Sequence, residues 1–398
     1  MKRLRKIIFW CHLPVGVTAG VVILIMCVTG VLLAYEKQIT SWADTRGYRA
    51  APPTAETRHL PVDTLLAKAR ESRGTNPTAI TLKSDPSAPA EIAFGREAAA
   101  LFVNPYSGQA LGDGSQRVRS FFRGVTDWHR WLGAKGENRN VARAITGASN
   151  LGFLFLVTSG FYLWWPRNWN LKALRNVTWF RRGLPGKARD FNWHNTIGFW
   201  CAPALFLIVI SAVVISYTWA GNLVYRIVGE TPPAPRANQQ PQNPSSPAQP
   251  PTDLNAAWSV AEQQVSDWRS ISLQLPTSAS GPLTFNIDSG TGGQPQKRAQ
   301  LVLDRTTGAV TRWEPFSSYT RGRQLRSILR FMHTGEVIGI PGQTIAAIVS
   351  LGGAFLAFTG LALAFRRFYA WISKRAAKRA ILSGTPMDTR IEPNQLAE

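Results

Sequence analysis

Four stretches of this chain, at 10–35, 144–165, 193–217 and 342–365, are almost wholly apolar, and none has Lys, Arg, Asp or Glu in its interior. A hydrocarbon core of ~30 Å takes roughly 20 apolar residues in helical form. Each stretch is long enough to cross a bilayer, which directs the fold towards a membrane α-helical protein. The first resembles a signal peptide in its basic start, Met1 to Lys6. Its apolar run is too long for one, however, and no small-residue cleavage site precedes Tyr35-Glu36, so it reads as an uncleaved helix.

The chain carries 45 Lys+Arg against 23 Asp+Glu, a formal charge of +22. The position of these charges decides what they mean. Lys2, Arg3, Arg5 and Lys6 precede the first span. Arg167, Lys172, Arg175, Arg181, Arg182, Lys187 and Arg189 fill the loop 166–192 against the single acid Asp190, and Arg366, Arg367, Lys374, Arg375, Lys378 and Arg379 follow the fourth span. The positive-inside rule puts these three segments, with both termini, in the cytoplasm. The basic excess is then topological, and no nucleic-acid partner is expected; the partner surface is the lipid bilayer. With 15 Trp and 19 Phe the chain is not disordered, and its three Cys lie in apolar stretches, which excludes a disulfide scaffold.

The two halves of the chain align. One offset carries His12 onto His194, Thr29 onto Ser211 and Tyr35 onto Tyr217. A second carries Ser159-Gly160 onto Thr359-Gly360 and the segment 101–111 onto 301–311. Each of the latter reads as an apolar strand, a turn ending in Gly and a second strand, preceded by a helical stretch at 62–72 or 254–268. The expected architecture is four transmembrane helices in two tandem repeats, with two small α+β domains on the outer face. The boundaries are 1–35 (basic N-terminus and first span), 36–140 (first outer domain and the His129 segment), 141–165 (second span), 166–192 (basic loop) and 193–217 (third span). They continue with 218–340 (second outer domain, with a Pro/Gln-rich tether at 231–252 and the His333 segment), 341–366 (fourth span) and 367–398 (basic tail).

Four of the five histidines follow the same symmetry. His12 and His194 lie one turn inside the cytoplasmic ends of the first and third spans; His129 and His333 lie just before the second and fourth, at the outer face. Ionisable groups at membrane depth are costly and usually functional, and imidazole is a common ligand of haem iron. Two histidines at one depth on different helices can clamp one haem, and two such pairs make two haems, one towards each surface. The pairs are His12 with His194 and His129 with His333. Interfacial histidines bonded to carbonyls or headgroups, a proton relay and a zinc site are the competing readings. No intramembrane acid extends a relay, and two His per face make a poor zinc set. Arg119, Arg123, Arg130, Arg326 and Arg330 flank the outer pair and suit either haem propionates or lipid phosphates. His59, beside Arg58 in a polar, Pro-rich stretch, reads as a solvated loop residue.

At this point the chain resembles the PepSY-associated transmembrane helix proteins of bacterial inner membranes. The resemblance rests on Trp10-Cys11-His12, Trp128-His129-Arg130, the run Ser159 to Arg167 ending span two, Phe191-Asn192-Trp193-His194-Asn195-Thr196-Ile197-Gly198 and the two Gly-turn hairpins. Members of that family include iron-regulated membrane proteins and ferrioxamine-type ferric-siderophore reductases with two b-type haems. The resemblance implies that His12, His129, His194 and His333 are the axial ligands, that the outer domains are periplasmic PepSY-like domains, and that the chain is a ferric-siderophore reductase. Thr334 stands after His333 where Arg130 follows His129, so the two outer segments differ there.

No flavin or nicotinamide fingerprint is present, and the run Ser289 to Gly293 lacks a following helix. The electron donor is therefore expected to be a separate reduced flavin, flavoprotein or quinol, and the resemblance implies a ferric siderophore in the periplasm as the acceptor. Two other classes remain open at this point, a haem-containing subunit that relays electrons to a separate periplasmic reductase and a membrane-anchored PepSY binding module without enzymatic function. The orientation is directly testable. In a background lacking the native cysteines, Ser120→Cys should react with a membrane-impermeant maleimide applied from the periplasm; labelling only from the cytoplasm would reverse the topology.

Overall fold

The computed structural model of the 398-residue chain describes residues 2–50, 52, 54, 57–95, 98–165, 170–234, 253–276 and 281–382. Most of the tether at 231–252, Arg167 and the end of the basic tail lie outside the described residues. Helices α1 (Lys2–Leu33), α2 (Glu36–Thr45) and α3 (Val62–Arg73) lead into strands β1 (Ala79–Lys83), β2 (Ala90–Ala93), β3 (Leu101–Val103) and β4 (Ala110–Asp113). Helices α4 (Gln116–Trp131) and α5 (Asn138–Trp164) follow, and α6 (Leu171–Thr178) fills the next loop. The order then recurs as α7 (Gly186–Ser216), α8 (Thr218–Ile227), α9 (Leu254–Gln264), β5 (Ser270–Gln274), β6 (Leu283–Asp288), β7 (Arg298–Leu303), β8 (Val310–Pro315), α10 (Arg321–His333) and α11 (Ile340–Leu382).

Four helices, Arg3–Leu33, Asn138–Trp164, Gly186–Ser216 and Ile340–Ala377, are long and apolar enough to cross a membrane. Val17, Val21 and Val28 on α1, Leu207 and Ile215 on α7, and Ile348, Leu351 and Phe358 on α11 are exposed. Apolar surface on this scale is stable only against lipid. The helices overrun the apolar stretches at their charged ends. Helix α1 starts at Lys2, α7 starts directly after Pro185, and α11 continues to Leu382 through what the sequence marks as a basic tail. Lys, Arg and Ala sustain a helix once it is nucleated, so the end of the apolar run does not end the helix.

The chain forms two compact units, one of Met1–Val28, Ala148–Phe206 and Val349–Glu398, the other of Thr29–Gly147 and Leu207–Ile348. In the first, small residues let the spans approach closely. Gly152 faces Val15 and Ala19, and Gly352 and Gly353 leave no room for a side chain beside Cys201 and Cys27. Trp164 stacks on Phe199 with ring centres 4.3 Å apart. Buried Asp190 is held between Arg189 and Arg366, at 3.1 and 3.4 Å.

The second unit contains one eight-stranded antiparallel sheet of order β4-β3-β2-β1-β5-β6-β7-β8. The two outer segments are each α+β, as expected, but they are not separate bodies. β1 is the edge of its own four strands and β5 the edge of the other four. They pair from Ala79↔Gln274 to Lys83↔Ser270, which removes two exposed edges. One core serves both halves, with Leu65 and Leu66 of α3 and Trp258 and Ala261 of α9 packed on Ile80, Ile92, Leu273, Phe285 and Leu301. The matched hairpins share one turn chemistry. Asn104 Oδ1 accepts from the backbone N–H of Tyr106 and Ser107, as Asp304 Oδ1 does from Thr306 and Thr307. Gly108 and Gly308 close the turns at φ 73° and 70°, a region that favours Gly. The Thr306 and Thr307 donors hold the Asp304 carboxyl down to about 2.

A shared core makes a directional prediction. Phe285 is fully buried with its ring edge-on to Trp258. Phe285→Ala should cost about 3–5 kcal/mol, and limited proteolysis should then open both halves of the sheet together. Cleavage confined to 253–318 would show that the halves are independent.

Candidate functional site

The second unit brings His129 and His333 together. Helix α4 begins with the Ser115 hydroxyl accepting from Val118 N–H, and it buries Phe122 and Val125. Helix α10 begins with Thr320 accepting from Arg323 N–H, and Gly322 packs tightly against Tyr225 of α8. Both helices place a histidine in the last turn and then stop abruptly. α4 ends through Leu132 at φ 52° and Gly133 at φ 76°; α10 ends through Gly335 at φ 75°, which lies against the Gly342 carbonyl with no space for a Cβ. The two imidazole rings face each other with centres 6.3 Å apart and planes inclined by 52°.

Each ring is oriented by one nitrogen. His129 Nδ1 lies 2.9 Å from Thr29 Oγ1 on α1, and His333 Nδ1 lies 3.1 Å from the Ile208 carbonyl on α7. A carbonyl only accepts, so His333 carries its proton on Nδ1. Burial pushes the His333 imidazole below its ordinary value, which also favours the neutral ring. Ser211, the counterpart of Thr29 in the second half, donates to the same Ile208 carbonyl at 2.7 Å.

The first unit repeats this arrangement. His12 Nδ1 on α1 meets Ser159 Oγ on α5 at 2.8 Å, and His194 Nδ1 on α7 meets Thr359 Oγ1 on α11 at 2.9 Å. Ser159 donates its own proton to Phe155 O at 2.6 Å, and Thr359 to Phe355 O at 2.7 Å. Each hydroxyl therefore accepts from the imidazole, which sets the Nδ1–H tautomer in both rings. The glycine after each hydroxyl lies against the same ring edge: a Cβ on Gly160 would sit 3.5 Å from His12 Cε1, and one on Gly360 3.4 Å from His194 Cε1.

With Nδ1 engaged in all four rings, metal ligation falls to Nε2, the usual division of labour in a ligating histidine. Ring centres 6.3 Å apart leave room between His129 and His333 for one metal at bonds of ~2.0 Å to each ring. Among the described residues no group of three or more His, Cys, Asp or Glu could hold a metal ion. Two imidazoles per site suit a metal that brings its remaining ligands with it, as a macrocycle does.

The other residues singled out by the sequence divide. Arg119 is committed to the buried carboxylate of Asp44, with Glu91 at 3.6 Å, so it does not belong with the remaining arginines. Arg130 lies over the Trp131 ring at 4.6 Å. Among the described residues Arg123, Arg326 and Arg330 form no ion pair. His59 packs edge-on against Tyr106 at 4.9 Å and is half-buried, rather than simply solvated. The run Ser289 to Gly293 lies within the second unit, with Gly293 closely against Glu336. The residues that sequence reasoning missed are the ring partners Thr29, Ser159, Thr359 and Ile208. Three of them carry hydroxyls at positions matched between the halves, which is the signal that could have found them.

The sequence profile described as the PepSY-associated TM region matches residues 9–367, a span that includes all four of these histidines. No curated protein matches the chain. The match extends over most of the 398 residues, and the chain belongs to the PepSY-associated transmembrane family.

Proposed function

We propose that this protein carries electrons across a bacterial inner membrane through two b-type haems and reduces ferric siderophores on the periplasmic face. The observation that carries this reading is the 6.3 Å separation of the His129 and His333 rings, with Nδ1 of each engaged by a partner, Thr29 Oγ1 for His129 and the Ile208 carbonyl for His333. On this reading His129 and His333 hold one haem and His12 and His194 the other. A haem held by two imidazoles supplies reversible one-electron Fe(III)/Fe(II) chemistry. On the same reading the three Lys/Arg-rich segments and both termini are cytoplasmic, by the positive-inside rule, and the outer segments 36–140 and 218–340 are periplasmic.

The protein's own residues do the positioning. The hydroxyls of Ser159 and Thr359 and the Ile208 carbonyl fix which ring nitrogen bears the proton, and together with Thr29 they fix how each ring is turned. All four of these bonds run within one half of the duplicated chain, whereas each proposed ligand pair takes one histidine from either half. Arg123, Arg326 and Arg330, near the outer pair in sequence, offer cations to propionates or to an anionic chelate. Reduction weakens the hold of hard oxygen ligands on the iron, because Fe(II) is softer and carries less charge. The siderophore then gives up its iron. The electrons come from a separate cytoplasmic or membrane donor.

Two experiments test the reading. Protein reduced with dithionite should be reoxidised by a ferric siderophore, with Fe(II) captured by a ferrous chelator. His333→Ala should stop this reaction, and His12→Ala should spare it. If reduced protein ignores every ferric chelate but is oxidised by a periplasmic protein, it is an electron-relay subunit instead. Removing an imidazole's acceptor makes the ligand less basic and favours Fe(II). Ser159→Ala and Thr359→Ala should therefore raise the reduction potential of one spectral component and leave the second in place. A shift of both components by either variant would place the hydroxyls wrongly.

A further inference from the structure

The first unit holds a second feature that the histidine sites do not use. Beside the ring of Trp193 is an open cavity of about 570 Å³, within the range of small-molecule sites. Its walls are Phe180, Trp193, Ile197 and Phe355, and its rim carries Arg181, Arg182 and Arg189. Phe180 and Trp193 meet edge to face at 6.5 Å, and Arg189 lies over the Trp193 ring at 5.4 Å. A second hollow continues from it past Trp179 to Lys172 and Arg175. The nearby acid, Asp190, is already held by Arg189 and Arg366. Apolar rings and a one-signed cationic rim together select a flat aromatic molecule that ends in an anion.

The cavity also adjoins the His194 site. Trp193 precedes His194, Ile197 lies one turn beyond it, and the Phe355 carbonyl anchors the Thr359 hydroxyl that holds the His194 ring. The turn is built to present the arginines. Arg181 is fixed through its backbone N–H, which donates to Asn192 Oδ1 at 3.0 Å, while Asn192 Nδ2 donates to Trp179 O at 3.2 Å. Among the described residues no hydrogen bond or ion pair engages the Arg181 or Arg182 guanidinium, whereas that of Arg189 holds Asp190.

We propose that this cavity binds a phosphorylated flavin, with the isoalloxazine against Phe180 and Trp193 and the phosphate on Arg181 and Arg182, as the entry point for electrons. The role as entry point rests on the electron-transfer reading above; the binding itself does not. The overall balance is closed: one dihydroflavin mononucleotide loses two electrons and two protons to become flavin mononucleotide, and two ferric chelates each take one electron.

The test is binding to the full chain in nanodiscs of phosphatidylcholine. Flavin mononucleotide should bind with its fluorescence quenched, as stacking on Trp requires. Riboflavin, which lacks the phosphate, should bind at least tenfold more weakly. Arg181→Gln with Arg182→Gln should weaken the mononucleotide about tenfold and leave riboflavin unchanged; Trp193→Leu should reduce the quenching. Absence of binding, or equal binding of the two flavins, overturns the proposal. So does retention of phosphatidylglycerol by the wild type but not by the double variant in native mass spectrometry, together with no flavin binding in neutral discs, because the arginines would then hold a lipid phosphate. Failure here with intact reoxidation by ferric siderophore would remove the flavin site alone. Binding without any ferric-chelate reaction would leave the site and remove the reductase.

Discussion

An imidazole carried into apolar helix packing must find an acceptor for its N–H, because leaving that group unbonded costs several kcal/mol. Much of this structure is arranged around that requirement. His12 ties α1 to α5 through Ser159, and His194 ties α7 to α11 through Thr359. At the other unit Thr29 ties α1 to α4, and the Ile208 carbonyl ties α7 to α10. A hydroxyl that has given its proton to its own helix can only accept. This makes Ser159 and Thr359 better fixers of a tautomer than a free hydroxyl would be. The glycines beside them leave the ring edges unobstructed.

The same bonds divide cleanly between the two aligned halves of the chain. Each half satisfies its own imidazoles, and the pairing of rings comes from juxtaposing the halves. The sheet follows the same logic. Each half makes a four-stranded set with an unpaired edge at β1 or β5, and the pairing of those edges yields one sheet over one core. In both places a half alone would leave something unpaired, a strand edge in one and a lone imidazole in the other.

The spans were legible in the sequence because their signal is local, an uninterrupted apolar run of sufficient length. The hairpins at 101–111 and 301–311 were legible for the same reason, since the Asx turn and its closing Gly are encoded within a few residues. The helical overrun of α11 was not, because basic residues end a hydrophobic run without ending a helix. The β1–β5 pairing joins residues nearly half the chain apart and leaves no local trace. Helices α4 and α10 read only as segments before a span, although their histidines were evident. The partners Thr29, Ser159 and Thr359 were already aligned between the halves. They passed as ordinary span residues because one-dimensional spacing does not say which hydroxyl meets which ring. The joint position of His129 and His333 was inferred from membrane depth, and the rings do face each other.

The central claim is that two imidazoles from opposite halves share one metal. It is tested most directly by reduced-minus-oxidised spectra of membranes containing the wild type and the four His→Ala variants. The account predicts two b-type components in the wild type. His129→Ala and His333→Ala should each lose the same one, and His12→Ala and His194→Ala the other. A featureless wild-type spectrum, or loss of a common component by His12→Ala and His333→Ala, would contradict it.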